Sequence, residues 1–261
     1  MSDRAPVQPV EAATVILVRE PSDRARGWEC FMVRRHLRSD FAADVFVFPG
    51  GKVDPADRDP GLLEVLDPDA GMENDDGGGT AWLGLRVAAL RELFEEAGVI
   101  LARETADGRS TESLSASREL ARSNLQSGRL TMLQVAREFG WCLDVMQLHP
   151  FSRWITPDTL PRRYDTHFFV ARLPAGQEPL HDAIETTASL WISPSDALER
   201  AERGDFPLVF ATEKHLERMA RYSAIDELIA ATTPADLEAV MPRIIERDGT
   251  TAFLLPGDEG Y

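Results

Sequence analysis

The run Arg91-Glu92-Leu93-Phe94-Glu95-Glu96-Ala97-Gly98-Val99 decides the fold of this 261-residue chain. It places three carboxylates at i, i+3 and i+4 ahead of a glycine that can end a helix. Residues at those spacings share one helix face, and like charges there repel. A cation between them removes the repulsion, and carboxylate oxygens are hard ligands that suit Mg²⁺ or Mn²⁺. The stretch therefore predicts a metal-binding helix that works on phosphate. A run of Glu and Arg also suits a solvated face laced by i, i+4 ion pairs, so its surroundings must decide.

Upstream, Phe48-Pro49-Gly50-Gly51-Lys52-Val53-Asp54 follows a strand-like run, Val45 to Phe48. Strand, glycine turn and acidic helix together resemble the Nudix hydrolase box, written G-x5-E-x7-R-E-U-x-E-E-x-G-U with U apolar. Gly51 fits the first glycine, and Arg91, Glu92, Leu93, Glu95, Glu96, Gly98 and Val99 fit the second half at every position. One departure is clear. Gly51 and Arg91 are 40 positions apart where the box places them 14 apart, so 26 residues are extra, and Asp57 stands where the first glutamate belongs. The insertion, about Pro55 to Thr80, contains Asp75-Asp76-Gly77-Gly78-Gly79 and is expected to be a polar surface loop.

A split box of this kind is similar to the peroxisomal coenzyme A diphosphatase branch and its bacterial relatives. Phe151 to Pro157 followed by Arg162 to Phe169 looks like that branch's second block, and Glu185 with Trp191-Ile192-Ser193-Pro194 looks like its third. The resemblance implies an α/β/α sandwich with a mixed sheet. It implies metal-dependent hydrolysis of a diphosphate linkage in coenzyme A or acyl-CoA. ADP-ribose or a dinucleotide is the alternative substrate, and an inert ligand-binding module the alternative class. It makes Glu95 and Glu96 the main ligands of Mg²⁺ or Mn²⁺, Glu92 a ligand or base, and the carbonyl of Gly50 or Gly51 a neutral oxygen ligand. Arg91 orients the carboxylates by a bidentate pair. Glu185 is the candidate for a fourth carboxylate, with Asp182 and Glu178 as rivals.

Substrate contacts are sought near the glycine turn. Arg34, Arg35 and Arg38 lie between the second strand and Gly50-Gly51, where they either meet phosphates or form an exposed basic edge; Arg162 and Arg163 pose the same choice. Trp154, Phe168 and Phe169 either stack on an adenine ring or belong to the core, and at strand spacing the core is favoured. His36, His149, His167, His181 and His215 show no ligand spacing.

Composition narrows the class. The net charge of −16 disfavours nucleic acid, whose binding comes from phosphate neutralisation. It still allows a small nucleotide diphosphate, because bound cations and a few arginines invert the field within one cleft. No apolar run reaches membrane-spanning length. Met1 to Val10 lacks an apolar signal region, Glu259-Gly260-Tyr261 is not a peroxisomal address, and Cys30 and Cys142 suit cytosolic thiols, so a cytoplasmic location is expected.

Length allows one Nudix domain over 1–261 with insertions. Strands are predicted at Ala12 to Arg19, Trp28 to Arg35, Val45 to Phe48, Thr166 to Leu173 and Thr187 to Ile192. The acidic helix is predicted over Ala81 to Ala97, with Val87, Leu90, Leu93 and Phe94 as its core-facing stripe; Val99 to Ala102 then enters the sheet. Thr111 to Leu148 is predicted as a helical insertion of two or three helices beside the core, open to serve either as a homodimer interface or as a cap over the site. Ser193-Pro194 should open a helix, and Thr212 to Ala231 and Pro234 to Arg247 are predicted helical. Thr251 to Leu255 is predicted as an edge strand.

Overall fold

Strands β1 (Val10–Arg19) and β2 (Glu29–Arg35) pair antiparallel only where Val18 meets Cys30 and Arg19 meets Glu29. Beyond that point each takes a different partner. β3 (Phe46–Val47) pairs with β2, while β4 (Gly50–Lys52) pairs with β1 at Ala12, Ala13 and Thr14. The glycine turn is thereby wedged into the sheet between its two first strands. These are features of a computed structural model that describes residues 7–21, 27–36, 44–67, 79–104, 111–181, 186–232, 237–247 and 249–261.

On the other edge of β1, β8 (Tyr164–Arg172) runs parallel from Val10 to Val18. β7 (His149–Ile155) pairs antiparallel with β8, β10 (Ala239–Val240) closes that end, and β9 (Thr186–Ile192) pairs with β2. The sheet is mixed, as expected. Val15, Ile16, Leu17 and Val18 of β1 are all buried, which is the pattern of a strand covered on both faces.

Alternation along these strands splits the core in two. Ala13, Val15, Leu17, Phe31, Val33, Phe169 and Ala171 face α1 (Gly79–Ala97), α2 (Thr111–Gln126) and α3 (Met132–Phe139). Ile16, Val18, Met32, Phe168 and Val170 face α4 (Pro194–Glu202), α5 (Phe210–Met219) and α6 (Ile225–Ala230). The result is an α/β/α sandwich. Ser193 caps α4 by accepting from the Asp196 N–H, with Pro194 in the first turn, as its sequence predicts.

Three expectations need correction. The segment after Gly51 is not simply a surface loop. Pro55–Arg58 and Pro60–Val65 form short 3₁₀ helices that bury Asp57, Leu62 and Val65, while Asp75 to Gly78 lies outside the described residues. Nor does the helical insertion sit beside the core. After α3 it becomes β6 (Trp141–Leu143), which pairs with β5 (Ala102–Glu104) in a separate ribbon, so the chain after Val99 does not join the main sheet. Leu125, Leu133, Val135, Trp141 and Leu143 are core residues, and Trp141 meets Phe94 of α1 edge-on at 5.3 Å between ring centroids. The predicted stripe of α1 is buried, and Leu85, Ala88 and Ala89 are buried with it, because the same cover encloses the helix from a second side.

The third correction concerns Pro234 to Arg247, which forms no α-helix where it is described, from Leu237 onward. It holds β10 and β11 (Arg243–Arg247), and β11 pairs with β12 (Thr250–Leu254) in a two-stranded ribbon apart from the main sheet. Pro242 cannot continue a helix, Ile244, Ile245, Thr250 and Thr251 are β-branched, and Asp248-Gly249 is a hairpin turn signal; Gly249 takes φ of 75°. No described helix is long and apolar enough to cross a membrane.

Candidate functional site

The three glutamates occupy the last two turns of α1, against the Gly50–Gly51 segment of β4. Gly50 N–H donates to Glu96 Oε2 at 3.0 Å. A Cβ on Gly51 would collide with the Glu92 carboxylate, and one on Gly50 would lie 2.6 Å from the Ala13 carbonyl oxygen. Gly51 is therefore needed for the backbone to approach the acids this closely, and Gly50 for it to lie this close to β1.

Arg91 organises the group. Its Nε and Nη2 donate to Oδ1 and Oδ2 of Asp57, each at 2.9 Å, and Nη2 also donates to the Lys52 carbonyl at 2.8 Å. Nη1 donates to Glu92 Oε1 and Glu95 Oε2, both at 2.8 Å. One guanidinium thus touches three carboxylates and the chain next to the glycine turn. Asp57 is only 1% exposed, and it fills the place that the box gives to its first glutamate. Burial opposes the Arg91 charge, but the Asp57 hydrogen bonds and the Glu92, Asp57 and Glu95 charges outweigh burial and raise its proton affinity. For Glu95, burial raises the carboxyl pKa; Arg91 pulls it down, Asp57 and Asp54 push it up, and it ends above the usual range.

Among the described residues, no three acidic, histidine or cysteine side chains are already gathered to hold an ion. Glu92 and Glu95 meet at Arg91, and Glu96 turns to Gly50. The donor set still fits a divalent cation: the oxygens are hard, backbone carbonyls lie alongside, and an acid with raised proton affinity is one that a nearby cation would relieve.

Arg34 stacks over Phe46, 5.6 Å from the ring, and pairs with Asp44 at 2.9 Å, on the face of the second core. Arg35 follows where the pairing of β2 with β9 shifts register, and its buried Nε has no hydrogen-bond partner. Arg38, Asp182 and Glu185 lie outside the described residues. Their chain neighbours are placed: Leu180 N–H donates to the Ala97 carbonyl at the end of α1, and Thr186 pairs with Arg35. Glu178 is exposed.

Other candidates are structural. Arg163 is buried and donates to the carbonyls of Thr156 and Val7. Phe168 and Phe169 are core residues, and Trp154 packs beside Phe210 and His215. His215 is buried; its Nδ1 lies 2.6 Å from the Ala211 carbonyl and Nε2 2.6 Å from Ser152 Oγ, so Nδ1 carries the proton and Nε2 accepts. Burial holds its pKa down at about 3. A cleft of 560 Å³ is lined by Trp28, Trp191, Ser193, Asp196 and Tyr222 and by none of the three glutamates. It gathers no comparable set of titratable groups, so the carboxylate turn, not the cavity, is the candidate site.

Two residues of the insertion escape sequence reading. Arg122 and Gln126 of α2 both donate to the Glu95 carbonyl, at 2.9 and 2.7 Å. Nothing in their spacing separates them from exposed helix residues.

Comparison with known proteins agrees with this geometry. The model of the NUDT19 Nudix domain matches residues 74–212. Acyl-coenzyme A diphosphatase NUDT19 of Gallus gallus is 30% identical, over 96% of this chain and 79% of its own. The Homo sapiens protein of that name is 27% identical, over 91% and 73%. The crystal structure of a NUDIX hydrolase from Alicyclobacillus acidocaldarius superposes with a TM-score of 0.65 at 27% identity, covering 87% of this chain and 97% of that one. The glycine wedge, the arginine-tethered acids and these likenesses lead to one conclusion: the chain belongs to the Nudix hydrolase family.

Proposed function

We propose that the chain hydrolyses the diphosphate linkage of coenzyme A or acyl-CoA with Mg²⁺ or Mn²⁺, releasing adenosine 3′,5′-bisphosphate and the matching 4′-phosphopantetheine. The observation that carries this reading is the meeting of Glu92 and Glu95 at Arg91 beside Gly50 and Gly51. The curated relatives named acyl-coenzyme A diphosphatase, matched over most of their length, support the substrate class.

Glu95 and Glu96, with Glu92 and the carbonyl of Gly51, would hold the cation. When bound, it screens the charge of the diphosphate and makes water a better nucleophile. The protein's part is placement. Arg91 holds Glu92 and Glu95 at a shared nitrogen, and its bond to Lys52 O fixes the glycine turn to the same helix. Arg35, with an unmatched buried Nε and without the Asp44 pair that holds Arg34, is the better candidate of the two to meet a phosphate oxygen. Glu92 or Glu185 takes the proton from water as it attacks phosphorus, and the P–O bond to the departing phosphate breaks. Support for Glu185 comes from its neighbours, since Leu180 is anchored at Ala97.

The test is turnover of acyl-CoA, ADP-ribose and NADH by purified protein with Mg²⁺, and again with chelator. Cleavage of acyl-CoA that stops with chelator is expected. A clear preference for ADP-ribose or NADH would move the substrate to a dinucleotide type. Tight binding of any of the three without turnover would make the chain a binding module.

A further inference from the structure

The helical insertion reaches the carboxylate turn through one side chain. Arg122 of α2 is 5% exposed, and its guanidinium lies at the C-terminal end of α1. Nε donates to the Glu95 carbonyl at 2.9 Å, and Nη2 donates to the Glu96 carbonyl at 3.0 Å and the Leu180 carbonyl at 2.8 Å. Gln126, one turn further along α2, adds a 2.7 Å bond to the Glu95 carbonyl.

These acceptors are special for two reasons. The last carbonyls of a helix have no partner within it, and they form the negative end of its dipole. They also belong to the two residues read above as the main cation ligands. Gly98 ends the helix at φ of 68°, and a Cβ there would lie 3.2 Å from Arg122 Nη1, so the stop leaves room for the guanidinium.

The same guanidinium ties in a third piece of chain. Leu180 N–H donates to the Ala97 carbonyl at 3.0 Å, and the Gln177 side chain bonds both the N–H and the carbonyl of Ile100, at 3.0 and 2.8 Å. The stretch that leads to Asp182 and Glu185 is therefore fastened alongside the end of α1, with Arg122 across the join.

We propose that Arg122 is a positioning residue for the Nudix carboxylates. It touches no reacting atom. It fixes the backbone of Glu95 and Glu96, and so the direction of their side chains, and it holds the 177–180 chain against them. The helical insertion is then a clamp on the site. This inference rests on the reading of Glu95 and Glu96 as cation ligands. Such ligands must be held to about 0.5 Å to work well, and backbone anchors of this kind set that tolerance.

The experiment compares wild type with Arg122→Ala, Arg122→Lys and Gln126→Ala, using Glu95→Gln as the reference for the site. It reads kcat and KM on whichever nucleotide the wild type cleaves, the affinity for Mn²⁺, and thermal unfolding. Arg122→Ala should lower kcat and Mn²⁺ affinity by about 10- to 100-fold with little change in KM, the range seen when groups that support metal ligands are lost. Lysine restores the charge but not the fork to three carbonyls, so it should recover only part. Gln126→Ala should shift both values in the same direction by less.

Wild-type kcat and Mn²⁺ affinity in Arg122→Ala, measured well below its unfolding temperature, would reduce the residue to a structural role and overturn the proposal. Full recovery by lysine would overturn the three-carbonyl geometry. Should Arg122→Ala not fold, unchanged Mn²⁺ affinity in both remaining variants would overturn it equally. A wild type whose Mn²⁺ binding does not depend on Glu95 defeats the ligand reading and this inference with it. Glu95-dependent binding with indifferent Arg122 variants defeats this inference alone.

Discussion

Asp57 and Arg91 form a buried two-point ion pair, Nε to Oδ1 and Nη2 to Oδ2, each at 2.9 Å. Asp57 is also tied into its own turn by accepting from the Asp54 N–H at 2.8 Å. The pair thus links the 3₁₀ segment after the glycine turn to the carboxylate helix. Asp57→Ala would leave the Arg91 charge without its principal partner, and breaking a buried pair costs about 3–5 kcal/mol. The unfolding midpoint should fall clearly in a denaturant titration. Turnover should fall as well, because Arg91, which holds Glu92 and Glu95, then loses the bonds that fix its own position. A variant with wild-type stability would show that the pair contributes little.

Glu95→Gln and Glu96→Gln test the site itself. Each keeps the shape and removes one ionised oxygen. On the proposed function each glutamate holds the cation directly, and its loss should exceed the loss of a supporting group, so turnover should drop by more than about 100-fold. The circular dichroism spectrum should be unchanged. Glu95→Gln should also raise the thermal stability of the cation-free protein at neutral pH. Its carboxyl is held above the usual range by burial, so the ionised form is a cost that the amide avoids. Activity retained in both variants would remove the basis of the proposed function.

What is legible in the sequence follows from what each signal depends on. The Arg91 to Val99 run is local: three acids at helical spacing before a glycine determine the helix and its end, and they are the basis of the chemistry proposed for it. Gly50 and Gly51 are legible because a close backbone approach needs them. Asp57 is visible as a position but not as a buried partner, since its environment is set by a helix 34 residues away. Arg122 is not legible at all. In a segment rich in Leu, Ala, Arg and Glu, an arginine that caps another helix looks the same as one in solvent. The error at Pro234 to Arg247 is of another kind. The hairpin signal at Asp248-Gly249 and the β-branched flanks are present, and they outweigh the helix-forming Leu, Glu and Ala before Pro242.

Gly50→Ala probes the wedge between β1 and β2. The added methyl would lie 2.6 Å from the Ala13 carbonyl and 2.7 Å from the Thr14 Cα, both backbone atoms that cannot turn away. β4 must then retreat from β1, at a cost of about 1–3 kcal/mol for overpacking. The retreat also lengthens the bond from Gly50 N–H to Glu96. Lower stability together with weaker Mn²⁺ affinity is expected. Weaker stability with unchanged affinity would show that the Gly50 to Glu96 bond does not set the site.

Acid sensitivity should come in part from two histidines held neutral. His215 is held at about 3 by burial, with the Ala211 carbonyl raising and Arg218 lowering it further, and His167 is held at about 4 by burial, with Asp165 opposing. Both folded values lie below the ordinary 6.5. The unfolded chain therefore takes up protons first as pH falls, so the stability these groups contribute is complete above pH 6.5 and is lost as pH drops towards 4 and then 3. One pKa unit corresponds to about 1.4 kcal/mol, so His215 alone should lower the unfolding free energy by roughly 2 kcal/mol between about pH 6.5 and 4.5. Denaturant titrations of the cation-free protein across that range measure the slope. His215→Gln removes one titrating group and should flatten the slope, at the cost of a lower plateau, because the Ser152 and Ala211 hydrogen bonds are disturbed. An unchanged slope in that variant would place the acid sensitivity elsewhere in the chain.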